Sequence, residues 1–182
     1  MDLLSARINS LPVSATLAMA SKARELKNQG IDVIGLSLGE PDFNTPEFIK
    51  DAAIEAVQDN WNSYSPVDGY SDLKNAICNK FKRDNNLDYS PSQIVVSTGA
   101  KQSIANVCMV LLDPGDHVLL PAPYWVSYSA IATLAEAEST IIHSSIESDF
   151  KITPEQLEAA ITPKTKLVMF NSPNNPSGTI YS

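Results

Sequence analysis

Between residues 91 and 170 short apolar runs alternate with stretches of helical periodicity, and that rhythm admits very few architectures. Residues 94–97 read as a buried strand, and 117–120, 140–143 and 166–170 read as strands. Between them, residues 100–112 and 124–135 read as helices, and Thr153-Pro154-Glu155 opens a third that runs to about Ile161. Four strands separated by three helices predict right-handed βαβ units and a parallel, doubly wound sheet. The fold class is α/β.

The first half of the chain is organised differently. Residues 15–29 space their apolar groups helically and stop at Gly30, a usual helix C-terminal residue. A short apolar run, 33–38, then ends at Gly39 and Pro41. Thr45-Pro46-Glu47 reads as a threonine N-cap followed by proline in the first turn, opening a helix to about Asn60. A polar turn holding Tyr64 and Asp68-Gly69 leads to a helix over 71–84 with Ser71 as its cap. No internal repeat, low-complexity segment or flexible linker interrupts the chain; the nearest thing to a boundary is 85–92, with an appendage before it and the sheet after it.

Charge narrows the function. With 13 Lys and Arg against 21 Asp and Glu, the net charge is −8, and no basic excess is available to release counterions from a nucleic acid or an anionic membrane. No window approaches the roughly 20 apolar residues of a membrane span, and residues 1–21 lack the form of a secretory signal. Cys78 and Cys108 show no Cys-x-x-Cys or Cys/His spacing, so neither a zinc site nor a disulfide framework is indicated, and a cytoplasmic place fits.

Three segments could carry chemistry. The run 94–97 passes through Thr98-Gly99-Ala100-Lys101 into a helix, an arrangement that directs free N–H groups and the positive helix end at an anion such as phosphate. The alternative is an ordinary strand-to-helix turn with a glycine, and neither GxGxxG nor GxxxxGK[ST] is present. Pro121-Ala122-Pro123-Tyr124-Trp125 sits at the carboxyl end of the next strand, where open α/β sheets bind ligands, and Trp125 offers a face for stacking on a flat ring. A tryptophan filling space between helix and sheet is the alternative. The third segment, Asn171-Ser172-Pro173-Asn174-Asn175-Pro176-Ser177-Gly178, is a rigid loop in which an Asn-Pro bond would aim the Asn175 amide in one direction.

Taken together, SLGEPDF at 37–43, SYSPVDGY at 63–70, STGAKQ at 97–102, PAPYWVSY at 121–128 and NSPNNPSG at 171–178 resemble, in order and spacing, the aspartate aminotransferase family of class I, fold-type I aminotransferases. The resemblance implies pyridoxal 5'-phosphate as cofactor, amino-acid and 2-oxo-acid substrates, and a homodimer. It implies that Gly39 meets the substrate carboxylate through its backbone, and that Gly99, Ala100 and Lys101 hold the cofactor phosphate by main-chain N–H groups. Trp125 would stack on the pyridine ring and Asn175 would hydrogen-bond its 3-oxygen, both close to the substrate. Tyr64 would reach the phosphate of the neighbouring subunit. The Ala122-Pro123 and Asn175-Pro176 bonds look like the family's cis peptides, and Ser177 in place of a commoner threonine keeps the hydroxyl. By domain, the resemblance assigns 1–45 to an N-terminal arm and part of a small domain, and 46–182 to the N-terminal part of the large cofactor-binding domain.

The family's Schiff-base lysine, the aspartate on the pyridine nitrogen, the tyrosine on the 3-oxygen and the two arginines on the phosphate and α-carboxylate all lie downstream of the NNP motif. No catalytic residue is therefore expected within these 182 residues, which should be inactive alone. Lys101, at the start of the helix whose N-terminus takes the phosphate, is expected to point to solvent or a neighbouring carboxylate rather than to replace that lysine. Of the four strands, the resemblance leads one to expect only the second and third to pair directly. Two other classes compete: a non-catalytic binding module that keeps the phosphate cradle and dimer surface, and a Rossmann-type oxidoreductase, which lacks its glycine fingerprint. Aspartate leads as substrate, with aromatic, alanine and prephenate specificity as alternatives.

Overall fold

The computed structural model describes residues 3–11, 13–36, 39 and 41–182. Its core is organised by β1 (His117–Pro121), in which Val118, Leu119 and Leu120 are wholly buried. Three consecutive apolar side chains alternate between both faces of a strand, so both faces must be covered, and β1 is accordingly the central strand. β2 (Glu138–Ile142) pairs with it in parallel from His117↔Glu138 to Pro121↔Ile142. β3 (Thr165–Val168) pairs in parallel on the other side, giving the order β2-β1-β3, with a register irregularity between His117↔Thr165 and Val118↔Leu167.

The connection from β1 to β2 carries α6 (Ser127–Leu134), and the return from β2 to β3 carries α7 (Pro154–Ala160). The two crossovers run in opposite directions across the sheet. Parallel crossovers are as a rule right-handed, and under that rule the reversal puts their helices on opposite faces, the doubly wound arrangement expected from the sequence. α5 (Ala100–Leu111) packs beside α6, and Cys108, Leu112, Val118, Leu120, Tyr128 and Ile131 interlock between them.

Two sequence expectations are corrected here. Residues 94–97 form no strand: Ile94 is buried and extended, but Val96 N–H donates to the turn carbonyl of Asp68 at 3.1 Å, and no strand lies beside it among the described residues. Extended backbone counts as a strand only when a ladder partner takes its polar groups. The second concerns pairing. The fourth expected strand, β3, joins β1 directly, because the return over β1 delivers the chain to the edge that β2 leaves open.

The chain divides into two units, Met1–Ser14 with Thr98–Ser182, and Ala15–Ser97. In the sheet-bearing unit, the short α1 (Ala6–Asn9) is capped by Ser5 and lies against α6, with Arg7 3.8 Å from Glu136. α7 opens as its sequence suggests: Thr153 Oγ1 accepts from Gln156 N–H at 3.3 Å while Gln156 Oε1 accepts from Thr153 N–H at 2.9 Å, a reciprocal capping box.

The second unit holds α2 (Ala15–Asn28), α3 (Glu47–Gln58) and α4 (Ser71–Asn85). α2 ends as predicted, with Gly30 at φ +83° and the Ile31 N–H returning to Leu26 O at 3.1 Å. The expected caps of the other two helices shift by one residue. Pro46 occupies the N-cap of α3 and Tyr70 that of α4, neither with a side-chain cap bond, so Thr45 lies outside its helix and Ser71 inside its own. Proline supplies no N–H and fixes φ, which suits it to the cap position itself as well as to the first turn. The run 33–38 is irregular as far as Leu36; Ser37 and Leu38 lie outside the described residues.

Candidate active site at the carboxyl edge of the sheet

β1 and β3 are parallel, so the loops that follow them leave the same edge of the sheet. After β1, Ala122-Pro123 is cis, and the Ala122 N–H donates to Ile142 O at 2.8 Å while Ser144 Oγ donates to Ala122 O. This fixes the start of the segment that carries Trp125. Trp125 is half-buried, meets Tyr128 edge to face with centroids 5.6 Å apart, and packs against the core between α5 and α6. Burial raises the Tyr128 hydroxyl pKa, so that group stays protonated and serves packing. Trp125 itself fills space against the core and keeps part of its surface exposed.

α5 begins at the same place. Gly99 is its N-cap, at φ +83°, and offers no side chain to accept from the first-turn N–H groups. A Cβ there would meet nothing within 4 Å, so the requirement for glycine is conformational rather than steric. Gln102 Oε1 takes the Thr98 N–H, and among the described residues no side chain caps the Gly99, Ala100 and Lys101 N–H groups at the positive end of the helix. The exposed Lys101 side chain does not run to a carboxylate: its ammonium lies 5.0 Å from the Trp125 ring centroid. That contact ties the beginning of α5 to the loop after β1.

The loop after β3 arrives from the other side. Ser172-Pro173 and Asn175-Pro176 are both cis, the first of them unexpected. Asn175 is exposed. Its neighbour Asn174 donates from Nδ2 to Pro123 O at 3.2 Å and accepts from Ser177 N–H and Oγ at 3.1 and 2.9 Å. The sequence alone assigns no role to Asn174 or Ser144, and at Ser177 shows only that a hydroxyl is kept. The adjacent pair of asparagines was the available signal, but nothing in a sequence tells which of two neighbours turns inward.

Gly99, Ala100, Lys101, Trp125 and the Asn175 loop thus belong to one constellation. Tyr64 and Gly39 lie in the other unit, both exposed and in irregular segments. Cys108 is buried, which pushes its thiol pKa up, and it is a core residue. Among the described residues no three His, Cys, Asp or Glu side chains gather as a metal site, and no helix is long and apolar enough to cross a membrane.

Residues 31–182 match the family model described as aminotransferase class I and II. The chain belongs to that family. Among its relatives, this aminotransferase chain is 51% identical over 179 residues to the aspartate/prephenate aminotransferase of Nitrosomonas europaea, covering 98% of the chain and 45% of that relative. It is 49% identical to the aspartate aminotransferase of Bacillus subtilis, covering 98% and 46%. Among solved structures, the aspartate aminotransferase of Rhizobium meliloti superposes with a TM-score of 0.94 at 47% identity, over 98% of this chain and 45% of that one. The Thermus thermophilus aspartate aminotransferase with maleate gives 0.95 at 41%, over 100% and 48%. The chain therefore spans somewhat less than half the length of the relatives it matches, and its α/β fold is the fold-type I architecture of these aminotransferases.

Proposed function

We propose that this chain forms part of a pyridoxal 5'-phosphate-dependent aminotransferase that moves an amino group between aspartate and a 2-oxo acid. The observation that carries the reading is the convergence of three separate segments, the α5 N-terminus, Trp125 and the Asn174-Asn175 loop, on one edge of the sheet. The residues present fit the cofactor. An uncapped helix N-terminus opened by a left-handed glycine suits a phosphate, an indole held by the core suits a flat ring, and an exposed amide suits an anionic ring oxygen.

When bound, the cofactor supplies the electron sink that amino-group transfer needs. Gly99, Ala100 and Lys101 donate main-chain N–H groups to the phosphate and so set the depth at which it sits. Trp125 orients the ring by stacking and shields one face from water. Asn175 donates to the ring oxygen and favours its anionic form, lowering the pKa of the group it neighbours. Gly39 offers backbone to the substrate carboxylate, and Tyr64 serves the phosphate of a second copy in a homodimer.

Aspartate is preferred because the Lys101 ammonium, held over Trp125, adds a positive charge beside the proposed ring site, where a second carboxylate would find it. Relatives named for aspartate and a neighbour solved with the dicarboxylate maleate agree with that preference. A cytoplasmic location and a division into an arm with part of a small domain over 1–45, and the large domain over 46–182, go with the same reading.

The test is turnover by the whole gene product loaded with pyridoxal 5'-phosphate. Consumption of aspartate with 2-oxoglutarate is expected, reduced at least about tenfold in Asn175→Ala, the loss of one charge-assisted bond. A gene product that binds the cofactor yet transfers no amino group from any amino acid would leave a binding module in place of an enzyme.

A further inference from the structure

We propose that Asn174 is a positioning residue of this site: its carboxamide clasps the Asn175 loop to the Trp125 loop, and so holds the two proposed ring contacts in one frame. The inference rests on the cofactor reading of Asn175 and Trp125 given above. The two loops hang from different strands, β3 and β1, and are 51 residues apart in sequence at the point of contact. Among the described residues, Asn174 Nδ2 to Pro123 O, at 3.2 Å, is the one side-chain hydrogen bond between 171–178 and 121–125.

Everything about Asn174 is fixed. Its Oδ1 accepts from Ser177 N–H at 3.1 Å and Ser177 Oγ at 2.9 Å, and Ser177 Oγ reaches Thr179 Oγ1 at 2.8 Å. Its N–H donates to Thr179 O and its carbonyl accepts from Gly178 N–H, both at 2.8 Å. On the opposing loop, Ser144 Oγ braces the adjacent carbonyl, Ala122 O. The half-buried Asn174 is thus a keystone, while the neighbouring Asn175 is exposed. One amide is used for structure so that the next can be aimed. The same network gives the hydroxyl of Ser177 its purpose, since alanine there would leave Asn174 Oδ1 with one donor fewer.

The experiment compares Asn174→Ala, Asn174→Ser, Asn175→Ala and the Asn174→Ala/Asn175→Ala pair in the full-length protein, all uncharged changes. Three quantities are read: the dissociation constant for pyridoxal 5'-phosphate, the pH midpoint of the bound cofactor's visible absorbance, and the thermal midpoint. Losing one hydrogen bond between neutral groups should weaken cofactor binding about 3- to 10-fold. The absorbance midpoint of the Asn174 variants should rise in the same direction as that of Asn175→Ala, by roughly half a unit. The double variant should move it no further than Asn175→Ala, because Asn174 acts through its neighbour. An Asn174 effect confined to the thermal midpoint, or one that adds fully to that of Asn175→Ala, overturns the proposal and leaves the functional reading standing. An unmoved midpoint in Asn175→Ala removes that reading and the proposal together.

Discussion

The ammonium of Lys101 rests 5.0 Å from the centre of the Trp125 ring, although one residue opens α5 and the other lies in the loop after β1. Lys101 has two separable parts, an uncapped main-chain N–H at the helix start and a side-chain charge above the indole. Lys101→Met should therefore leave cofactor affinity within about twofold, since the N–H remains, and weaken aspartate relative to a monocarboxylic amino acid by roughly tenfold in kcat/KM. Steady-state kinetics on the full-length protein with aspartate and alanine check this. Equal losses on both substrates would mean that the charge does not select for a second carboxylate.

Gly69 ends the turn that carries Tyr64 and Asp68, at φ +102°, and a Cβ added there would stand 2.5 Å from Val96 Cγ2 and 2.9 Å from its Cβ. Gly69→Ala thus meets both backbone strain and a side chain that is itself β-branched and stiff. A destabilisation of about 2 kcal/mol or more is expected from a denaturant midpoint. Combining it with Val96→Ala should restore part of that loss, the conformational part remaining.

The sheet was legible in the sequence and its edges were not. Residues 117–120 read as a strand, and the burial of Val118, Leu119 and Leu120 on both faces agrees with its central place, while the Thr153-Pro154 start of α7 carries its own cap chemistry. Residues 94–97 show the same composition without a neighbouring strand, and pairing is a property of the partner as much as of the run. The candidate ligand contacts were visible through motif resemblance. The groups that aim them, Asn174, Ser177 and Ser144, were not, because their partners are backbone carbonyls and hydroxyls fixed only by the tertiary fold.

Asp68 shows how the same turn answers to pH. Its carboxylate accepts from Lys74 Nζ, and that bond, ahead of its own backbone N–H, holds its pKa below the ordinary 3.8. A depressed carboxylate stabilises the folded state above its unfolded pKa, and the contribution is lost as pH falls through the folded value. Asp68→Asn should therefore lower the denaturation midpoint near pH 7 and make no difference once the pH is well under 3.8. Equal differences between the two proteins at both pH values would show that the geometry of the turn, not the charge, is what Asp68 contributes.

Thr153 combines a cap with a wall. Its Oγ1 accepts from Gln156 N–H at 3.3 Å, Gln156 returns the bond to the Thr153 N–H at 2.9 Å, and Gln156 Nε2 reaches His143 O at 3.3 Å beyond the end of β2. The same threonine lines an apolar cavity of about 430 Å³ with Pro121, Leu157, Val168 and Phe170. Gln156 thereby joins the start of α7 to the chain leaving β2, at the edge where the candidate site lies. Thr153→Ala removes the cap acceptor and should cost about 1 kcal/mol, whereas Thr153→Ser keeps the hydroxyl and should cost only a few tenths. Denaturant titration of both variants separates the two roles: equal losses for serine and alanine would assign the stabilisation to the threonine methyl against the cavity wall instead of to the cap.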